Sequence, residues 1–333
     1  MTTNSKIDPV DVSIIIVAWN VKKLLMECLE SVFQETKDIS FEVIYVDNAS
    51  EDGSVEAVEQ TFPDVKIIKN QENLGFIKAN NQAIKIAKGR YILLLNSDTL
   101  VLDNAIAKTT QFADKNPEAA VIGCKVMNPD RTLQRDCFMY PSLLNMLISS
   151  LYLNKLFPKS KFFGRERMTW WDFNDFKEVE TICGCYALVR KKAIDQIGLM
   201  DENYFVYGDD PDWCYRFHTA GWKNMYTPNA QIIHYGGQTT KSIKFTFKLQ
   251  LFGSKLIFFY KFRSLLSFYT ARFLTAMFCT LRIPYWIGVA LFKKSDRTLA
   301  IDHVKTYFFA SLHCLTNWRN LLMNKDTFNK KAN

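Results

Sequence analysis

No uninterrupted apolar run in this chain reaches the ~18–20 residues that a membrane-spanning helix needs. The nearest approach, Leu265 to Phe292, is interrupted by Arg272, Arg282 and Pro284. The first residues, MTTNSKIDPVD, contain no apolar signal segment. Repeated Cys-x-x-Cys spacing is missing too. The 8 cysteines are scattered, and Cys183-Gly184-Cys185 is too close for the usual structural zinc pattern. They read as reduced, mostly packed thiols, which predicts a cytoplasmic protein. There is no fixed-period repeat and no low-complexity tract. Nor does a Gly-rich, Lys- or Arg-bearing phosphate loop follow the first apolar strand; Ala18-Trp19-Asn20 stands there instead, which weighs against a nucleotidyltransferase.

What is present is 333 residues, 48% of them hydrophobic, enough for a real core in one large or two modest domains. Charge is uneven. Residues 241–333 carry 16 of the 42 Lys+Arg but only 3 of the 34 Asp+Glu, and 13 of the 26 Phe. This predicts an enzyme-like part, residues 1–240, followed by a basic, aromatic extension, 241–333, that meets an anionic partner.

Along residues 1–240, apolar strands alternate with helical patterns. Val12–Val17, Phe41–Val46, Val65–Ile68 and Tyr91–Leu95 read as strands. A helix capped by Asn20 follows the first, one over Val55–Thr61 follows the second, and one from Asn73-Leu74-Gly75-Phe76 to about Lys88, stopped by Gly89, follows the third. The alternation predicts a doubly wound, mostly parallel sheet. Residues 125–180 lose this regularity and read as an aromatic excursion off the sheet. Arg190 to Ile197 reads as a further helix, ending at Gly198.

Several polar groups stand where such a sheet binds ligands, beyond the C-terminal ends of its strands. Asp47 ends the second strand and can accept hydrogen bonds from a base or ribose, or merely hold the turn that follows. Asn73, Asn80 and Asn81 can present amides to a nucleotide, or simply start a helix. Asn96-Ser97-Asp98 ends the apolar run Tyr91–Leu95; Asp98 suits Mg²⁺ or Mn²⁺ held with phosphates, or else caps a helix near Leu102. Asp209, Asp210 and Asp212 crowd three carboxylates into four positions, which raises at least one pKa toward that of a working base, or favours a helix dipole. Pro211 fits a first helical turn, with Trp213, Cys214 and Phe217 facing the core. His234 follows Ile232-Ile233 and reads as a metal ligand or a structural imidazole.

Seven stretches in order then resemble the family 2 glycosyltransferases, in particular their bacterial rhamnosyltransferase-like branch. They are SIIIVAWN (13–20), VDNASEDGS (46–54), NLGFIKANNQAI (73–84), YILLLNSDT (91–99), GCYALVRKKAIDQIGLMDENYF (184–205), YGDDPDWCYRFHTAGW (207–222) and IHYGGQ (233–238). The resemblance implies the A-type glycosyltransferase fold, a nucleotide-binding, mostly parallel central sheet flanked by helices. It implies an inverting, divalent-cation-dependent transfer from a nucleoside-diphosphate sugar to a glycan or polyprenyl-linked acceptor in surface polysaccharide synthesis. By position, Asp47, Asn73 and Asn80 would meet the nucleotide, Asp98 the metal and diphosphate with Asn96 beside it, and His234 the metal or diphosphate. Asp210 would be the base, and Asp201, with Asp212 and Trp213, would lie on the acceptor side. Two departures stand out: the metal motif is Asn-x-Asp rather than Asp-x-Asp, and Asp209 stands where the family usually has Glu, with Pro211 after the base.

In a helical reading of the extension, Phe245, Leu249, Phe252, Leu256 and Phe259 form one stripe. Lys241, Lys244, Lys248 and Lys255 form another, flanked by Phe247, Leu251, Phe258 and Phe262. This predicts peripheral contact with the anionic inner face of the plasma membrane, against the plainer reading of a packed helix with solvated lysines. Nucleic acid is not expected as a partner, since no basic recognition motif occurs and the strand-end acids would have no role. A membrane-bound scaffold with the same fold and no catalysis is the remaining competitor.

Overall fold

A computed structural model describes residues 10–204, 207–236 and 244–322, without the side chains of 244–248 and 294. Along the chain run β1 (Val12–Ala18), α1 (Lys22–Glu35), β2 (Phe41–Asp47), α2 (Ser54–Thr61), β3 (Lys66–Lys69), α3 (Phe76–Ile86), β4 (Tyr91–Asn96), β5 (Thr99–Leu102), α4 (Ala105–Lys115), β6 (Ala119–Met127), β7 (Leu133–Gln134) and β8 (Cys137–Phe138). Then come α5 (Leu143–Ser150), α6 (Leu153–Leu156), β9 (Lys177–Glu178), β10 (Thr181–Ile182), β11 (Tyr186–Arg190), α7 (Lys191–Ile197), α8 (Asp209–Thr219) and β12 (Lys223–His234). Helices α9 (Lys244–Phe262), α10 (Leu265–Thr280), α11 (Ile283–Phe292) and α12 (Arg297–Leu315) complete it, with a short 3₁₀ turn at Trp318–Leu321.

Two compact units divide the chain. The first comprises the described parts of Met1–Cys137, Phe173–Met200 and Cys214–Thr239. Its sheet has the order β3-β2-β1-β4-β11-β6-β12-β5. Strands β3, β2, β1 and β4 are parallel, as predicted; β11 enters antiparallel to β4 and β6. The chain winds one way from β1 to β3, then crosses back to lay β4 on the other side of β1. The strand order therefore reverses between β1 and β4, where open α/β sheets bind ligands. Buried side chains of β1, β2, β4 and α1 build the core here; in α1 they are Leu25, Cys28, Leu29 and Val32, the spacing of one helical face.

One polar residue lies deep in β1. Ser13 donates to Glu42 Oε1 at 2.6 Å and accepts the N–H of Gly89 at 2.8 Å, so its burial leaves no orphan hydroxyl. This fixes what Gly89 does. It does not stop α3, which ends at Ile86, and its φ is not positive. Its backbone lies so close to β1 that an added Cβ would meet the Ser13 nitrogen at 2.4 Å. Backbone cannot swing aside, so Gly89→Ala should lower stability by about 1–3 kcal/mol, read as a shift in denaturation midpoint.

Asn20 does not cap α1 either. Its φ is 52°, its Oδ1 accepts the Glu51 N–H at 2.8 Å, and Asp52 accepts the Lys22 N–H at 2.7 Å in its place. The loops after β1 and β2 are thereby tied together. Residues 99–102 are not a helix but strand β5, antiparallel to β12, so Asp98 is no helix cap.

The second unit comprises the described parts of Phe138–Asp172, Asp201–Trp213 and Thr240–Asn333, and is mainly helical. Lys241 and residues 237, 238, 205 and 206 lie outside the described residues, as do the side chains of Lys244, Phe245, Phe247 and Lys248. In the rest of α9, Leu249, Leu256, Ile257, Phe258 and Phe259 are buried, Phe258 stacks on Tyr140, and Lys255 pairs with Glu166 at 3.0 Å. Along this stretch the helix is packed on the side of Leu249, Leu256 and Phe259 and at Phe258, while Leu251 of the other predicted flank is exposed. Large apolar side chains are also exposed on α10 (Leu265, Leu266, Tyr269, Phe273), on α11 (Tyr285, Ile287, Leu291, Phe292) and on α12 (Ile301, Phe308, Leu312, Leu315). Residues 265–292 are long and apolar enough to cross a membrane by length and composition, with the regular helix interrupted at Leu281-Arg282 between α10 and α11. At this interruption the buried Arg282 guanidinium lies 4.0 Å from the Tyr152 ring centre and donates to the Ser149 carbonyl at 2.9 Å.

Candidate active site

The strand ends bring three predicted residues together in the first unit. In register, Ala18 of β1 stands beside Asp47 of β2, and Val17 beside Asn96 of β4. Asp47, Asn96 and the following Asp98 therefore leave the sheet at one level. The last residue of β12, His234, is paired with Thr99 in β5, which brings its ring back over the end of β4. Its Nε2 lies 3.2 Å from Asp98 Oδ1 and 3.3 Å from Asn96 Nδ2, although Asn96 and His234 are 138 residues apart. Asp98 and His234 are both largely buried.

Burial disfavours the imidazolium, but the hydrogen bond and charge of Asp98 outweigh it, and the His234 pKa is raised. A raised folded pKa adds stability that is fully present below the unfolded value, about 6.5, and is lost as pH rises through the folded value. In metal-free protein, Asp98→Asn should therefore lower the melting temperature more at pH 6 than at pH 9, measured by thermal denaturation.

The other residues expected on the nucleotide side are already engaged within the protein. Asp47 is buried; Oδ1 accepts from Tyr45 at 2.8 Å and Oδ2 from the Ser50 N–H at 3.1 Å, so it does hold the turn. Each oxygen keeps a second lone pair for a ligand. Asn73 accepts the Gly75 N–H at 2.9 Å, and Asn80 donates back to the Phe76 carbonyl at 2.8 Å. Both hold the entry to α3. Asn81 is buried further along and donates to the Met200 carbonyl at 2.9 Å, a packing role.

In the second unit, Asp201 and Asp212 share Lys261. The ammonium lies 2.6 Å from Asp201 and also contacts Asp212, which is 1% exposed and accepts from Tyr204 at 3.1 Å. Burial pulls the Asp201 carboxyl up, but Lys261 and the Asn203 donors prevail and hold it below its ordinary value. Asp209, Asp210 and Asp212 occupy the first turn of α8, with Asp209 buried and Asp210 half-buried; Trp213, Cys214 and Phe217 are buried, as read from the sequence. Sequence reasoning missed Lys261, because nothing local marks it among the other basic residues of α9. Lys261→Met should lower stability by about 3 kcal/mol by stranding a buried carboxylate, measured by chemical denaturation.

Asp98 with His234 supplies a hard oxygen and an imidazole nitrogen, a donor pair suited to Mn²⁺ or Mg²⁺. Among the described residues no group of three His, Cys, Asp or Glu is arranged to hold a metal alone. A cation at this pair would complete its shell from water and diphosphate oxygens, the usual arrangement for Mg²⁺ in phosphate sites.

Comparison with known proteins identifies the family. The family model for glycosyl transferase family 2 matches residues 13–198. An N-acetylglucosaminyl-diphospho-decaprenol L-rhamnosyltransferase of Mycobacterium tuberculosis is 27% identical over 209 residues, 60% of this chain and 67% of its own length. The O-antigen biosynthesis protein RfbC of Myxococcus xanthus is 26% identical over 226 residues, covering 67% of this chain but 17% of RfbC. Among solved structures, the mannosyltransferase PcManGT from Pyrobaculum calidifontis, in complex with GDP-Man and Mn²⁺, superposes with a TM-score of 0.56 at 16% identity, over 92% of this chain and 87% of that one. The likeness shows the A-type glycosyltransferase fold.

Proposed function

Since the chain belongs to glycosyltransferase family 2, we propose that it inverts configuration as it moves a hexose or deoxyhexose from a nucleoside-diphosphate donor to a hydroxyl of a glycan or polyprenyl-linked acceptor. The observation that carries the reading is the Asn96–Asp98–His234 cluster at the reversal point of the sheet. The relative from M. tuberculosis is named for a polyprenyl-diphosphate acceptor and RfbC for O-antigen synthesis, which supports a lipid-linked acceptor and surface polysaccharide as the product class.

The reaction is one displacement. The acceptor oxygen forms its bond to the anomeric carbon as the bond to the diphosphate breaks, and the acceptor proton passes to Asp210. Asp47, with Asn73 and Asn80, orients the nucleoside, while Asp201, Asp212 and Trp213 shape the acceptor side. Asp98 and His234 would hold Mg²⁺ or Mn²⁺. When bound, the cation neutralises charge on the departing diphosphate. Thermal shift with UDP-, dTDP- and GDP-sugars, with and without Mn²⁺ or Mg²⁺, tests this. A metal-dependent rise with one nucleotide is expected; no rise with any, in folded protein, would favour the scaffold.

The enzyme works, on this reading, at the cytoplasmic face of the plasma membrane. Support comes from the exposed aromatic and aliphatic side chains of α10–α12 beside Arg263, Arg272 and Lys293. Flotation with vesicles containing an anionic lipid should carry the protein upward, and Phe273→Asp with Phe308→Asp should leave it at the bottom. Wild-type protein that stays at the bottom would overturn the membrane assignment.

A further inference from the structure

Beyond the cluster itself lies a turn that carries no recognisable sequence motif. β6 and β7 form a hairpin, with Val126 opposite Gln134 and Met127 opposite Leu133. The turn between them, Asn128-Pro129-Asp130-Arg131-Thr132, is closed by the Asn128 N–H to the Thr132 carbonyl at 2.8 Å. Its side chains make an ordered series of hydrogen bonds that ends on His234.

The direction of each bond follows from the one before it. An ionised carboxylate only accepts. Asp130 therefore takes the Thr132 hydroxyl proton, at 2.6 Å. That leaves the Thr132 oxygen to accept, and it does so from Asn128 Nδ2 at 2.9 Å. Asn128 Oδ1 then faces Gln134, whose Nε2 donates to it at 2.8 Å and to the His234 carbonyl at 3.3 Å. With its NH₂ so placed, Gln134 turns Oε1 toward His234 Nδ1 at 2.6 Å. An amide oxygen cannot donate, so Nδ1 must carry the proton. On the other side of the ring Asn96 Nδ2, a donor, approaches Nε2 at 3.3 Å, which asks that nitrogen for a lone pair.

We propose that Gln134, set by the Asp130–Thr132–Asn128 series, is a positioning residue that fixes the neutral His234 ring in its Nδ1–H tautomer, so that Nε2 is presented bare toward the Asp98 side. This deepens, and for its ligand chemistry rests on, the metal reading given above. The Asp98 carboxylate alone would favour the opposite tautomer, with the proton on Nε2. Flipping the Gln134 amide to permit that would break its bonds to Asn128 and to the His234 carbonyl. Outer partners of this kind typically change metal affinity by about 10–100-fold when removed.

The test needs no turnover. Full-length protein labelled with ¹⁵N-histidine is examined by NMR without metal, in the alkaline range where the ring is neutral; of the 4 histidines, His234 is assigned by its absence in His234→Gln. The expected wild-type spectrum shows Nδ1 protonated and Nε2 bare. Gln134→Met should move the proton to Nε2, whereas Gln134→Glu, which still accepts at Nδ1, should keep it in place. A wild-type ring protonated on Nε2, or a Gln134→Met spectrum like the wild type, would overturn the proposal. Mn²⁺ binding, followed by water proton relaxation, is the second readout, expected to weaken about 10–100-fold in Gln134→Met. Wild-type protein that binds no Mn²⁺ yet shows the stated tautomer would sink the metal reading and leave the positioning role standing.

Discussion

Asp210→Asn should fold as the wild type and lose about 10²–10⁴-fold in turnover, the usual effect of removing a general base. The substitution is nearly isosteric. Asp210 is half-buried in the first turn of α8, where two other carboxylates remain to face the helix dipole. Melting temperature and donor affinity should hold while kcat falls, which separates the loss of a base from a loss of structure. Turnover equal to wild type would remove Asp210 from the base role. Asp209→Asn is the comparison that tells the two neighbours apart. Asp209 is buried, and if it serves structure its loss should show in the melting temperature rather than in the rate.

Asp98→Ala should have the other large effect. Charge stabilisation by a metal at a departing diphosphate amounts to several kcal/mol, so losing its carboxylate ligand should lower kcat/KM by at least about 10²-fold. The Mn²⁺ dependence of any remaining rate should weaken with it. Because His234 loses its carboxylate partner in the same variant, its raised pKa should fall back. Proton titration of the ring by NMR then reports the broken contact even where activity is too low to measure. A variant with unchanged metal response would mean that the cluster is structural.

Much of the fold could be read directly because its parallel strands are buried on both faces. Runs such as Ile14-Ile15-Ile16 and Leu93-Leu94-Leu95, short and bounded by polar residues, suit a strand covered on both sides better than a helix with one wet face. The strand-end acids were legible for the same reason, since a polar residue closing such a run marks the sheet edge. Other features were hidden because they depend on partners distant in sequence. The residues after Asp98 read as leading into a helix near Leu102, and only β12 beside them makes them a strand. Gln134 and Lys261 look ordinary in their own segments and acquire meaning from His234 and from Asp201 and Asp212. In α9 Leu249, Leu256, Phe258 and Phe259 are buried and Leu251 is exposed: a helical pattern shows which residues share a face, but not which faces the rest of the chain covers.

The pairing of β5 with β12 bears on how the protein is made. Strand β5 lies at the end of the sheet order, and β12 is its neighbour there. A ribosome that has released residues 13–198, the span that carries the family signature, has not yet made the strand that β5 requires. Until residue 234 emerges, the nascent chain holds Asp98 beside an unpaired edge, the kind of surface that invites wrong strand pairing. Sequence-distant contacts of this sort also close slowly. A fragment cut at the limits of the family match should therefore aggregate rather than fold, and the Asn96–Asp98–His234 cluster should be among the last parts of the first unit to form.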